Sequence, residues 1–281
     1  MKFVYLLALA SMISACASSD KSAESAAPQA AATPAPKKLP TTIEEAVASE
    51  YRTPENRQRD GARHPVETLT FFGLKPEMTV VEISPGMGWY SQILAPLLAE
   101  KGKYYAAQPA GDGEYLVKMR ENYTAWLKAN PELESKVVVT SLNPGKEPIA
   151  PDGTADMVVT FRNVHNWISN GVEAAAFKSF HKALKPGGIL GVVEHRENPK
   201  KKRDPKAKNG YVLEKDVIRM AEKAGFKLVE KSEVNANPRD TKDHPEGVWT
   251  LPPTYRLGDK DREKYAAIGE SDRMTLKFVK K

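Results

Sequence analysis

The chain has 281 residues, of which 41% are hydrophobic and 28% charged, with a formal net charge of +6 and one cysteine. This composition excludes a collagen, a disulfide-stapled scaffold and a polytopic membrane protein, and it leaves enough apolar residues for a packed core. A charge of +6 is a small excess for this length, so nucleic acid is not an expected partner.

The first fifteen residues have the pattern of an export signal. Lys2 precedes an apolar run from Phe3 to Ile13, which as a helix would be roughly 16 Å long, about half the thickness of a bilayer core. The run ends in Ile13-Ser14-Ala15-Cys16, which resembles the lipobox of bacterial lipoproteins, where the cysteine is lipidated and becomes the new N-terminus. The alternative is an ordinary secretory signal that contains a cysteine by chance. We expect residues 1–15 to be removed and Cys16 to carry the lipid.

The segment after Cys16 is predicted to be a tether. Sixteen of the 25 residues from 16 to 40 are Ala, Ser or Pro, a composition that forms flexible chain with a span on the order of 25–30 Å. In lipoproteins, a residue other than Asp after the cysteine, here Ala17, implies the outer membrane of a Gram-negative cell. The predicted location is therefore the cell envelope, on the periplasmic face of the outer membrane, with residues 41–281 forming one domain.

Apolar segments of strand and helix length alternate through that domain. The predicted strands are Met78–Ile83, Lys103–Ala107, Lys136–Thr140, Asp156–Phe161, Ile189–Glu194, Phe226–Ser232 and Met274–Val279. The predicted helices are Ile43–Tyr51, Asn56–Phe72 with a break near Pro65, Gly88–Leu98, Gly113–Ala129, Val172–Leu184 and Glu214–Ala224. This order predicts an α/β fold with a mostly parallel sheet and helices on both faces. Only a long loop, Asn235–Ser271, separates the last two strands, so the last strand is expected to run antiparallel.

A glycine-containing turn follows the first strand and carries the clearest chemical signal. Glu82 ends the strand, and the sequence Ser84-Pro85-Gly86-Met87-Gly88 leads into a helix. A phosphate-binding P-loop would end in Gly-Lys-Ser/Thr, but Trp89 follows here. The dinucleotide fingerprint needs a third glycine where this chain has Ser91. A third class of ligand therefore fits the turn better.

Three motifs in the expected order resemble class I S-adenosylmethionine-dependent methyltransferases. Residues 80–88 resemble the first motif of that family, Asp156–Asn163 its fourth-strand motif, and Ala183–Gly188 its downstream signature. The resemblance covers roughly residues 60–280 and is narrowest to bacterial predicted methyltransferases, some with lipoprotein signals. It implies a Rossmann-like sheet of seven strands and S-adenosylmethionine as the cofactor.

The resemblance also assigns cofactor-binding residues. Glu82, Gly86 and Gly88 would line the methionine end of the cofactor, with Ser84 and Pro85 in the turn. Ser84 stands where the family has its first glycine, which is tolerable if its φ is negative.

Two further cofactor contacts are carried over from the second and third strands. The family usually ends its second strand with an acid that binds both ribose hydroxyls, and this chain has Gln108 there. An amide can donate and accept hydrogen bonds, but it binds a ribose less tightly than a carboxylate. Ser141, just past the third strand, is the nearest match to an adenine contact.

Two histidines follow the fourth and fifth strands. His165 lies in the segment Arg162–Trp167 and His195 directly follows the fifth strand, so both are expected at the carboxyl edge, where open α/β sheets bind ligands. They are candidates for a catalytic base or a substrate ligand, with structural loop residues as the alternative. No third ligand is visible beside them, so no metal site is predicted.

Two other groups have weaker functional signals. Asp60, Arg63 and His64 precede the first strand, on a segment that in the family often covers the cofactor. Lys200–Lys208 carries six Lys or Arg against one Asp, which is typical of a solvated loop and would also suit an anionic lipid surface.

The sequence thus supports two hypotheses of different classes. The first is a lipid-anchored methyltransferase that acts on an unknown small acceptor. The second is a catalytically inactive binding or scaffolding module of the same fold at the cell envelope. An exported location favours the second, because S-adenosylmethionine is made in the cytosol; the glycine turn and Glu82 favour the first.

Overall fold

The computed structural model describes residues 37–281. The predicted signal, Cys16 and the tether as far as residue 36 lie outside the described residues, so those assignments remain predictions. Within the described part, Lys37 Nζ donates to Asn130 Oδ1 at 2.7 Å and Leu39 packs against the core. The last residues of the predicted tether therefore contact the domain.

Seven strands form one sheet in the order β3-β2-β1-β4-β5-β7-β6. They are β1 (Thr79–Ile83), β2 (Lys103–Pro109), β3 (Val137–Leu142), β4 (Ala155–Phe161), β5 (Leu184–His195), β6 (Phe226–Ser232) and β7 (Arg273–Lys280). Strands β1 to β5 pair in parallel, whereas β7 runs antiparallel to both β5 and β6. The predicted seven-stranded α/β fold and its antiparallel last strand are confirmed.

Eleven α-helices connect and flank these strands in the described part. They are α1 (Ile43–Ala48), α2 (Pro54–Arg57), α3 (Asp60–Arg63), α4 (Pro65–Phe72), α5 (Ser91–Leu98), α6 (Glu114–Lys128), α7 (Pro131–Glu134), α8 (Val164–Asn170), α9 (Glu173–Ala183), α10 (Glu214–Lys223) and α11 (Arg262–Ile268). Three short helices, α2 to α4, replace the single broken helix predicted over Asn56–Phe72. The break before α4 lies at His64, whose φ of 42° is left-handed and which precedes Pro65. No helix in the part that the structure describes is long and apolar enough to cross a membrane.

Two predicted loops contain helices, which corrects the sequence assignment. The loop Asn235–Ser271 holds a 3-10 helix, Gly247–Thr250, as well as α11, and the segment after β4 forms α8. Only Tyr265 of α11 is buried. A helix that buries one side chain has no apolar periodicity to reveal it.

The sheet separates two hydrophobic cores. Alternation along β1 places Val80 in one core and both Val81 and Ile83 in the other. Helices α1, α4, α5 and α6 cover the first face, while α8, α9 and α10 cover the second. Because β1 to β5 run parallel between these two groups of helices, their carboxyl ends lie at one common edge of the sheet.

Candidate functional site

A large cavity lies at this carboxyl edge, where the strand order reverses between β1 and β4. Open α/β sheets bind their ligands at such a switch point. The cavity has a volume of about 770 Å³, within the roughly 300–1,000 Å³ typical of small-molecule sites. The turn after β1, the ends of β2 and β3, and helices α6 and α8 all contribute to its walls.

The turn after β1 has left-handed backbone at three positions. The φ angles are 49° at Ser84, 64° at Gly86 and 84° at Gly88. The condition of a negative φ at Ser84 is not met. Its N–H donates to the Ala107 carbonyl at 2.8 Å, and the chain turns sharply directly after this bond. Ser84, Pro85 and Gly86 line the cavity, so the turn presents backbone to any ligand.

Gly88 suits its position in the same turn because of its backbone conformation. A Cβ built on Gly88 would lie 3.4 Å from the ring of Tyr123, in ordinary contact. Gly88 is not among the cavity-lining residues. Its positive φ is therefore the reason why glycine suits this position, and its predicted contact with a cofactor remains a prediction.

Glu82 reaches the cavity floor, but its carboxylate is bonded within the protein. It accepts hydrogen bonds from the Tyr104 hydroxyl at 2.5 Å and the Ser91 hydroxyl at 2.7 Å. Burial raises the pKa of Glu82 to about 7, although both hydrogen bonds act in the opposite direction. Glu82 thus links the end of β1 to α5 and β2 through these two hydrogen bonds. A direct contact with a cofactor stays a prediction.

Gln108 and Ser141 face each other in the register of β2 and β3. Neither lines the cavity; Pro109, Ala110 and the residues after Ser141, including Asn143, do. The side-chain amide of Gln108 is buried, and neither its nitrogen nor its oxygen has a hydrogen-bond partner in the described structure. Such unsatisfied groups cost stability, and a bound polar molecule would satisfy them.

A second cavity of about 230 Å³ adjoins the first. The two share three lining residues, Arg59, Arg63 and Arg162. The remaining walls of the second cavity are His165, His195, Val248, Trp249, Pro252, Pro253, Thr254, Glu270 and Ser271. The structure therefore brings the two predicted histidines together, on the far side of the arginines from the glycine turn.

The two imidazoles have different partners, and their ring centres are 5.4 Å apart. His165 Nδ1 lies 3.0 Å from Glu194 Oε1, a carboxylate that can only accept. In the neutral ring the proton therefore sits on Nδ1, and Nε2 carries the lone pair. His195 Nδ1 lies 2.6 Å from Ser271 Oγ, and burial, together with nearby His165 and arginines, holds the pKa of His195 well below its usual value. The lowered pKa favours the neutral form of the His195 ring.

The geometry adds Glu194 as a third potential metal ligand, which sequence reasoning had not found. Ligand atoms of His165, Glu194 and His195 all lie within 4.8 Å of one another. However, the Glu194 oxygens already accept from the backbone N–H groups of Val164, His165 and His195 and from the His165 ring. With three arginines in the same wall, the cluster is better suited to orienting the histidines than to binding a cation.

Sequence reasoning located some of these residues and missed others. Arg63 lines both cavities as its segment suggested, but Asp60 pairs with Arg52 at 2.6 Å, and neither Asp60 nor His64 lines either cavity. The sequence could have identified Arg162 and Glu194 as site residues, because each lies at the carboxyl end of a predicted strand. Trp249 comes from the segment Asn235–Tyr255, whose Pro-rich and aromatic composition suggests a loop folded over the substrate side, and it lines the second cavity.

Comparison with known proteins supports the fold. No protein-family model matches the sequence, and no curated protein matches it. The structure resembles a SAM-dependent methyltransferase from Aquifex aeolicus, with 21% identity over 79% of this chain and 92% of that one and a TM-score of 0.53. It also resembles the [4+2]-cyclase SpnF, with 16% identity over 85% of this chain and 91% of that one and a TM-score of 0.55. The chain therefore has the Rossmann-like methyltransferase fold, and its chemistry must be argued from the site.

Proposed function

We propose that this protein is an S-adenosylmethionine-dependent methyltransferase that acts on a small acceptor. The observation that carries the proposal is the left-handed turn at Ser84, Gly86 and Gly88, which presents backbone to a 770 Å³ cavity at the switch point of the sheet. A structural turn has no need of an open cavity above it, whereas a ligand that approaches the backbone closely requires one.

The residues around this cavity fit the cofactor. The backbone of Ser84, Pro85 and Gly86 would hold its methionine end. The unsatisfied amide of Gln108 is buried behind the lining residues Pro109 and Ala110, and it would have to turn towards the cavity to bind the ribose hydroxyls. Ser141 would support Gln108 from β3 beside the adenine. Bound there, S-adenosylmethionine would supply a methyl group already activated by its sulfonium, so the protein's main task is to position the acceptor.

His165 is the proposed catalytic base. Glu194 fixes its tautomer, which leaves the Nε2 lone pair free to remove a proton from an acceptor hydroxyl or amine in the second cavity. His195, held by Ser271, would bind or orient the same acceptor group.

Calorimetric titration of the full-length protein with S-adenosylmethionine and S-adenosylhomocysteine tests the proposal. We expect both to bind, and Gln108→Ala to weaken both at least tenfold, since two hydrogen bonds to the ribose are lost. Gln58→Ala, at an exposed glutamine, is the matched control and should bind like the wild type. Absence of binding at millimolar ligand would leave the inactive binding module as the better interpretation.

The role of His165 is tested by methyl transfer rather than by binding. With methyl-labelled S-adenosylmethionine and a panel of small hydroxyl and amine acceptors, His165→Asn should lower the transfer rate about 10²- to 10⁴-fold. Cofactor affinity should stay unchanged, because His165 lies outside the first cavity. An undiminished rate would remove His165 from the mechanism.

We also propose that the enzyme works at the cell envelope through a lipid on Cys16. The support is the lipobox-like sequence Ile13-Ser14-Ala15-Cys16 and the tether that follows it. Cys16→Ser should move the protein from the membrane fraction to the soluble fraction after cell lysis, while unchanged fractionation would contradict the anchor. An envelope location requires the cofactor to reach the site from the cytosol.

A further inference from the structure

The wall between the two cavities concentrates positive charge. Arg59, Arg63 and Arg162 line both cavities, and Arg273 is buried behind them. Among the residues described as lining either cavity, Glu270 is the carboxylate in contact with these guanidinium groups. Three or four cations therefore face one anion.

Glu270 cannot satisfy all of these donors. Arg59 Nε lies 2.7 Å from one of its oxygens and Arg273 Nη1 lies 3.2 Å from the other, while Arg63 Nε is 3.8 Å away. Nε and Nη1 of Arg63 are buried without a hydrogen-bond partner in the described structure. The Arg63 guanidinium also packs over the Trp89 ring, 4.4 Å from its centre. A buried donor that is held rigidly and left unpaired is costly unless a ligand completes it.

The pKa shifts in this wall also indicate more positive than negative charge. Burial, followed by the charge of Arg273, lowers the pKa of Arg162 to about 10. Burial alone would raise the pKa of Glu270, but the hydrogen bond from Arg59 and the charges of Arg273, Arg63 and Arg59 outweigh it and lower that pKa to about 2. Burial, followed by the charges of Arg162 and Arg59, also holds the pKa of Arg63 well below its usual value. The wall therefore disfavours its own positive charge and would gain stability from a second anion.

We infer that the methyl acceptor carries a carboxylate or phosphate group, which Arg59, Arg63 and Arg162 bind where the two cavities meet. The inference rests on the proposed function and names the substrate class of that site. Guanidinium groups suit both anions because they can donate two parallel hydrogen bonds. The rest of the acceptor would lie against Val248 and Trp249, within reach of the second-cavity histidines.

The size of the second cavity limits the acceptor. Its 230 Å³ is roughly the volume of seven or eight water molecules. Benzoate and phenyl phosphate are probes of this size that carry the two anions, and benzamide is the uncharged counterpart of benzoate.

Calorimetric titration of the full-length protein with these three probes tests the inference. We expect benzoate or phenyl phosphate to bind at least tenfold more tightly than benzamide, and their ratio distinguishes a carboxylate from a phosphate site. Arg162→Gln should weaken the preferred anion at least tenfold. Arg57→Gln, at an exposed arginine outside both cavities, should leave its affinity unchanged. If Arg162→Gln does not fold, as judged by circular dichroism, Arg59→Gln at a partly exposed position is expected to give the same loss.

Two results would overturn the inference. One is that neither benzoate nor phenyl phosphate binds more tightly than benzamide. The other is that Arg162→Gln or Arg59→Gln weakens S-adenosylmethionine but not 5′-methylthioadenosine, which lacks the carboxylate; the arginines would then hold the cofactor. Failure of the wild type to bind S-adenosylmethionine while it still binds the anions would instead refute the proposed methyltransferase and leave the anion site intact.

Discussion

Ser84 has a left-handed backbone conformation. Residues with a Cβ adopt this conformation at a cost in free energy, whereas glycine does not. Ser84 adopts it because its N–H donates a hydrogen bond to β2, and the chain turns directly after this bond. Left-handed backbone costs a residue with a Cβ roughly 1–2 kcal/mol, and glycine avoids this penalty but loses more entropy on folding.

Ser84→Gly should therefore raise the free energy of unfolding by about 1 kcal/mol, measured by urea denaturation. Ser135→Gly is the control, because Ser135 is exposed with φ −77°. That substitution should lower stability by about 0.5–1 kcal/mol. A loss of stability in Ser84→Gly would mean that the serine side chain contributes more than its backbone strain costs.

Glu82 makes stability depend on pH in a defined direction. Its pKa is raised from the usual 4.5 to about 7 in the folded protein, so the folded state binds the proton more tightly than the unfolded state. The stabilisation by this proton is complete below pH 4.5 and is lost as the pH rises through 7. The difference between the two pKa values corresponds to about 3 kcal/mol.

Glu82→Gln keeps a neutral group at this position at every pH. Relative to the wild type, its free energy of unfolding should rise by about 3 kcal/mol between pH 4.5 and pH 8, measured by urea denaturation at several pH values. Taking the difference between the two proteins cancels the contributions of His195 and the acids with lowered pKa values. A difference that is constant with pH would show that folding does not raise the pKa of Glu82.

The antiparallel edge of the sheet depends on an ionic network at the element scale. Arg196, which follows β5, donates to Asp272 just before β7 at 2.9 and 3.0 Å, and to Glu233 after β6 at 2.7 and 2.8 Å. Asp272 also accepts from the Asn237 backbone. The Asp272 side chain is only 5% exposed, so its bonds are shielded from water, whereas the Glu233 side chain is 68% exposed. Together these bonds connect three strand ends.

Asp272→Asn should lower the free energy of unfolding by about 3 kcal/mol, because it leaves buried cationic donors without their anion. Burial alone would raise the pKa of Asp272, but the bonds from Arg196, Lys242 and Asn237 lower it. Asp152→Asn removes a surface pair with Lys182, whose side chains are 55% and 69% exposed, and should change stability by less than about 0.5 kcal/mol. Equal losses of unfolding free energy in the two variants would mean that the Asp272 network stabilises the fold no more than a surface ion pair does.

At the scale of the whole molecule, one sheet serves two cores. Leu94 belongs to the core that contains Trp89, and Phe177 to the core that contains Trp167. Because neighbouring residues of β1 and β4 enter opposite cores, neither core can separate from the sheet without exposing the other.

Leu94→Ala and Phe177→Ala should each cost about 2–5 kcal/mol. Each should shift one common unfolding transition, seen identically by tryptophan fluorescence and by far-ultraviolet circular dichroism. If Leu94→Ala moved the fluorescence transition without moving the other, the two layers would be independent folding units.

Local pattern was sufficient for the strands, the main helices and the glycine turn. Apolar periodicity and the residues at helix ends are short-range properties, and the buried strands of this sheet satisfy them strongly. The same information failed for Arg262–Ile268, which buries one side chain, and for the φ of Ser84, which a bond to the neighbouring strand decides.

The sequence by itself determined a seven-stranded α/β sheet, an antiparallel last strand and a ligand turn after β1, because each is written in residues close together in the chain. Only the tertiary structure decided what faces that turn. Arg59, Arg162, Glu194 and Glu270 are separated by up to 211 residues, the distance in sequence from Arg59 to Glu270, and they meet because the parallel strands end at one edge. No local pattern encodes such a meeting, and the proposed substrate class depends on it.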